Sequence, residues 1–93
     1  MEAGLVTAFN EIINNENVTG CVLTNPQGLC MLSSPNLKPE VSGLVSAISQ
    51  HAAKLEDSDG PPIITLEGDN RMCLILTEGG YTTTIFKKTS HQF

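Results

Sequence analysis

Cys21, Cys30 and Cys73, with His51 and His91, are the side chains that could supply a soft nucleophile, a base near neutral pH or a zinc site. The spacing argues against each use. No two cysteines stand at the short separation of a zinc knuckle, and three is an odd number for a disulfide framework. Each cysteine lies inside an apolar strand pattern, so all three are expected as buried thiols of a reducing compartment. A Cys–His dyad would be the route to nucleophilic catalysis, but nothing in the sequence brings one together. His51 falls at the edge of a helical apolar face, and His91 lies in the C-terminal tail. The acidic run Glu56-Asp57-Ser58-Asp59-Gly60 lacks the alternation and the closing Glu of a calcium loop, and reads as a solvated connection. There is no Gly-x-Ser-x-Gly elbow and no phosphate-binding loop. No catalytic residue, metal or cofactor is therefore expected. Asn17-Val18-Thr19 matches a glycosylation sequon and, without a secretory route, is read as a coincidence.

Composition points the same way. The 93 residues carry ten acidic and five basic side chains, a net charge of −5. Only Lys87-Lys88 forms a basic pair, which is no footprint for a nucleic-acid backbone or an anionic bilayer. The N-terminus has no basic stretch followed by an apolar run, so a secretory leader is not expected. No segment approaches the roughly 20 apolar residues that span a bilayer, and no lipidation motif is seen. A single domain of this length buries only about 60–65% of its unfolded surface. With no Trp and four other aromatics, its core must be aliphatic.

The positioning elements can be read from periodicity. Residues 2–15 show a helical stripe of Leu5, Ala8, Phe9, Ile12 and Ile13. Val18–Thr24 and Leu29–Ser33 are strands joined by Asn25-Pro26-Gln27-Gly28, a turn with Pro for its bend and Gly for its positive φ. Strict alternation in the first strand puts Val18, Gly20 and Val22 on one face and Cys21 and Leu23 on the other. Both faces are apolar, so both should be covered. Pro39 opens a second helix that runs to about Leu55, with Glu40 at its positive end. Val41, Leu44, Val45, Ile48, Ala52 and Leu55 form its broad apolar face. Beside that face runs a small stripe of Ser42, Ser46, Ser49 and Ala53, either an ordinary polar flank or a seat for another backbone. Residues 63–67, 72–77 and 81–87 are three further strands with tight turns, hence antiparallel hairpins. The fold class is mixed α/β, of the α+β type.

The residues Gly20-Cys21-Val22-Leu23, the turn Asn25-Pro26-Gln27-Gly28-Leu29, the helix from Ser42-Gly43-Leu44 to Ala52-Ala53-Lys54-Leu55, and Leu66-Glu67 with Asp69-Asn70 resemble the roadblock family. The likeness spans residues 2–88 and rests on order and spacing. Within that family it is nearest to a Ragulator subunit. The resemblance implies a profilin-like five-stranded antiparallel sheet with spatial order two, one, five, four, three and one helix on each face. Residues 1–93 would be one domain, with 89–93 a disordered tail too short for a third helix.

It also implies a non-catalytic scaffold. Such a subunit forms a heterodimer with another roadblock-family subunit in a complex held on late endosomes and lysosomes by a lipidated anchor subunit. That complex docks Rag GTPases and supports amino-acid signalling to the TOR kinase complex. The chain itself would be cytoplasmic, with no nucleic-acid or direct membrane contact. A homodimeric module for another small GTPase and a small-molecule sensor are the alternatives. The partner surface is expected on Ser42, Ser46, Ser49 and Ala53 of the second helix and on the edge run Ile63, Ile64, Thr65 and Leu66. That run carries no inward charge to block strand pairing.

Overall fold

Asn25 organises the first hairpin. Its Oδ1 accepts the backbone N–H groups of Gln27 and Leu29, each at 2.9 Å. Its carbonyl accepts the Gly28 N–H at 2.9 Å, and Gly28 takes φ 84°. A side chain with a Cβ resists that angle. The computed structural model describes residues 3–55 and 62–89. In chain order the elements are α1 (Ala3–Ile13), β1 (Val18–Thr24), β2 (Cys30–Ser33), α2 (Glu40–Ala53), β3 (Ile64–Glu67), β4 (Arg71–Glu78) and β5 (Tyr81–Lys88). The acidic run from Glu56 and His91 lie outside the described residues. Thr89, placed in the tail by the sequence, is tied to the domain by its N–H, which donates to the Asn70 carbonyl at 3.0 Å.

The five strands form one antiparallel sheet in the order β2-β1-β5-β4-β3. This is the expected order. Residues paired across an antiparallel ladder share a face. Leu23, Thr83 and Leu76 therefore look one way, and Leu5 and Ile12 of α1 line a groove with them. Thr24, Thr82 and Thr77 look the other way, where Ser49 of α2 meets Thr77. One helix covers each face. The core is aliphatic and sits around the middle strands: Ile75, Cys21, Val22, Leu23 and Val45 are buried, with Phe9 the aromatic among them.

A bulge corrects the simple alternation in β1. Val18 pairs with Lys87 while Gly20 pairs with Phe86, so Thr19 is an extra residue. Val18 thereby leaves the Gly20–Val22 face and joins the side of Cys21, beside Ile13 of α1. The bulge is pinned from the loop after β2. Asn36 Nδ2 donates to the Thr19 carbonyl at 2.7 Å. The Ser34 hydroxyl donates to Asn36 Oδ1 at 2.9 Å and accepts the Cys21 N–H at 3.1 Å. Gly20 is needed there for space, since a Cβ would lie 3.1 Å from the Leu37 side chain.

The thiols divide. Cys21 is buried, but Cys73 is only half-buried and Cys30 is exposed. The expectation of three buried thiols therefore holds for Cys21 alone. Cys30 opens β2, a four-residue outer strand with a neighbour only in β1, and the register breaks beside it at Thr24. An outer strand at a register break cannot bury both of its faces.

Ile75 is the largest fully buried side chain and lies at the centre of β4. Ile75→Ala should lower the free energy of unfolding by about 2–5 kcal/mol, the usual cost of an aliphatic-to-alanine cavity. Urea denaturation followed by circular dichroism checks this. Ile75→Val should cost about 1 kcal/mol.

Candidate functional site

Helix α2 meets the sheet through hydroxyls. Its buried residues are Ser42, Val45 and Ser49, with Val45 the one aliphatic side chain among them. The Ser49 and Thr77 hydroxyls share a hydrogen bond of 2.7 Å, and Thr77 reaches on to the Thr82 hydroxyl at 3.1 Å. Ser46 lies beside the hairpin turn, where a Cβ added to Gly28 would be 3.4 Å from its hydroxyl. The small stripe is thus the inner face of α2. Ser42 and Ser49 are committed to the chain's own sheet, and Ser46 and Ala53 are half-buried. The expectation that this stripe faces a partner is corrected for Ser42 and Ser49. Serines fit here because the strands beneath present Thr24, Thr77, Thr82 and Thr84, and short side chains let the helix sit low.

The consequence is an apolar outer surface. Leu44 is 64% exposed, Ile48 37% and Leu55, just past the helix, 84%. The sequence reading grouped these three in the helix's broad apolar face and gave the partner surface to the small stripe instead. It missed them because it ranked the stripes by hydrophobicity alone. The signal that would have found them is the row of threonines at alternate positions in β5, which announces a hydroxyl-rich sheet face. Gly43 also lies outward, with nothing within 4 Å of where a Cβ would stand.

The edge run is placed as expected. Among the described residues strand β3 pairs with β4 alone and is the last strand of the sheet. Ile64 and Leu66 pair with Ile75 and Cys73, which puts them on the α2 face of the sheet. Ile63, just before the strand, is 70% exposed and Leu66 47%; Thr65 is also exposed. Large exposed apolar side chains beside an unpaired edge mark a protein-interaction surface.

The family described as Ragulator complex protein LAMTOR5 matches residues 1–87. The chain belongs to the LAMTOR5 family. It is 32% identical over 91 residues to the Ragulator complex protein LAMTOR5 of Xenopus tropicalis, covering 97% of this chain and all of that relative. Its fold is similar to Myxococcus xanthus MglB, with a TM-score of 0.78 at 17% identity over 97% of this chain and 82% of that one. It is similar also to a roadblock/LC7 domain from Streptomyces avermitilis, with a TM-score of 0.69 at 17% identity over 86% and 73% of the two chains. LAMTOR5 membership makes the chain a Ragulator subunit with partner subunits, and the architecture is that of a roadblock domain.

For a LAMTOR5 chain the remaining chemistry is sparse. Among the described residues no cluster of His, Cys, Asp or Glu could hold a metal ion, and no helix is long and apolar enough to cross a membrane. A groove of about 660 Å³ opens between α1 and the sheet, lined mainly by aliphatic side chains, with Glu78 and Tyr81 among its lining residues. Among the described residues the one large perturbation is internal: burial pushes the Cys21 thiol from its ordinary 9.0 up to about 11.

That shift has a sign. Between pH 9 and about 11 the unfolded chain releases a proton that the folded chain keeps. The contribution of Cys21 is therefore whole below pH 9 and falls away as the pH rises through the folded value, by about 2–3 kcal/mol. Urea titrations at pH 8 and pH 10.5 should show this fall in the natural chain. The extra loss at high pH should be absent from Cys21→Ala.

Proposed function

We propose that the chain is a non-catalytic scaffold subunit that pairs with another roadblock-family subunit through the outer face of α2 and the free edge of β3. The observation that carries this reading is the outward Leu44, Ile48 and Leu55 on the same side of the sheet as the exposed Leu66 of β3. Burying a fully exposed side chain of this size contributes about 1.5–3 kcal/mol, and the part-exposed Ile48 and Leu66 contribute correspondingly less. Strand addition at β3 extends one sheet across two chains and satisfies the backbone groups of its edge. The residues meeting the partner are Leu44, Ile48, Ile63, Ile64, Thr65 and Leu66, with Ser46 and Ala53 at the border.

The wider role follows from the family. As a Ragulator subunit the chain joins a complex that docks Rag GTPases at the late endosome and lysosome surface and supports amino-acid signalling to the TOR kinase complex. A lipidated partner supplies the membrane anchor. The net charge of −5 supports this division of labour, since an acidic chain is repelled by anionic lipid. The groove beside α1 favours a second reading, a small-molecule sensor; a ligand-dependent rise in Tm would support it.

Leu44→Asp and Ile48→Asp should each weaken pairing at least tenfold in a native pull-down with mass spectrometry, with the circular dichroism of the free chain unchanged. Lys38→Ala should leave pairing intact. Full pairing by both Asp variants would remove α2 from the interface. In cells the natural chain should be punctate on lysosomes and become diffuse when the lipidated anchor subunit is deleted. Puncta that persist would point to a different receptor.

A further inference from the structure

Several local features of α2 work against its standing alone, although Glu40 suits its positive end. It has no side-chain N-cap; Pro39 precedes it at φ −57° and supplies no hydrogen-bonding side chain. Glycine at 43 lies inside the helix in open space, where nothing in this chain requires it. Three serines, with β-branched Val41, Val45 and Ile48, fill much of its 14 residues, and all of these are middling to poor helix formers. Its hold on the sheet is also weak. The helix buries one valine and two serines, on a sheet face that carries Val22 and Ile75 beside its threonines, and one hydrogen bond, Ser49–Thr77, crosses the seam. Across that seam the hydroxyls of Thr24, Ser42 and Thr84 are buried with no hydrogen-bond partner among the described residues. Such groups favour any state that lets water reach them. Meanwhile Leu44 and Ile48, the side chains best able to anchor a helix, face outward.

We infer that α2 is a separately opening unit of the free chain and that pairing closes it. Resting on the assembly reading above, the inference adds that the partner surface is partly made at the moment of binding. A segment with weak propensity, unpaired buried hydroxyls and few buried apolar contacts belongs to the low-stability end of a structure. A partner seated on Leu44 and Ile48 binds only the closed form and so shifts the equilibrium toward it.

Hydrogen exchange on the full-length chain tests this, at a dilution where native mass spectrometry shows single copies. Amides of Leu44 to Ala52 should exchange at least fivefold faster than those at the centres of β1 and β5, after correction for intrinsic rates. A smaller difference overturns the inference. Gly43→Ala should slow the α2 amides about fivefold in single copies while leaving those of β5 unchanged. Equal slowing of both would show that α2 opens only with the whole domain, which also overturns it. Thr84→Val should slow the α2 amides in the same selective way; no change would remove the unpaired hydroxyls as a cause. Addition of the roadblock subunit that co-purifies with the chain should then slow the α2 amides at least tenfold. A complex seen by mass with α2 still exchanging fast overturns the closing step. Absence of any complex, with α2 fast in single copies, instead counts against the assembly reading alone.

Discussion

The rotation of α2 about its own axis decides what the rest of this domain can do. A helix of this composition has two ways to lie on a sheet. With Leu44 and Ile48 inward it would bury more apolar area and leave a hydroxyl-lined outer face. The helix takes the second arrangement, serines inward. The α2 face of the sheet sets Thr24, Thr77, Thr82 and Thr84 beside Val22 and Ile75, and Thr77 takes Ser49 into a hydrogen-bonded chain with Thr82. Short side chains on both sides bring helix and strands close. The seam is thin, and hydrogen-bonded only in part. Leu44, Ile48 and Leu55 are left toward solvent.

The two edges of the sheet are unequal in a way that gives this surface a direction. Strand β2 is four residues long, breaks register at Met31 and is followed by the Pro35 loop, three features that blunt strand addition. Strand β3 is also short, but its pairing with β4 is regular over all four residues, and no charge appears before Glu67. The exposed side of α2 belongs to the same face as Ile64 and Leu66. Edge and helix therefore present apolar side chains together at β3.

Much of the architecture was legible because hydrophobic periodicity and turn chemistry are local. The Asn25-Pro26-Gln27-Gly28 turn, the tight hairpins and the helix after Pro39 each follow from residues within reach of one another. Strand order is not local, and it came from the likeness to a family. What periodicity misjudged has a common cause. Val18 changed face because of a bulge held by Asn36, which lies seventeen residues further along the chain. Cys30 was assigned to the interior because an outer strand looks, in one dimension, like an inner one. Ser42 and Ser49 were turned outward because hydrophobicity ranks a helix's stripes only when the surface beneath is apolar. Here that surface mixes four threonines with Val22 and Ile75, and only the pairing of β1, β5 and β4 puts them in one place.

The division between the two faces bears on why such a domain would exist as a subunit at all. On the α1 side, Phe9 is the buried residue of the helix, and Leu5 is still open to solvent above the groove. On the α2 side, a valine carries the aliphatic contact. A sheet of this size with two lightly attached helices buries little apolar surface for each residue it must order, and small domains sit close to the limit where burial offsets chain entropy. Turning Leu44 and Ile48 inward would enlarge the core and remove the apolar outer surface of α2. In the proposed pairing the same side chains serve stability and assembly, which couples folding to the chain's place as a complex subunit.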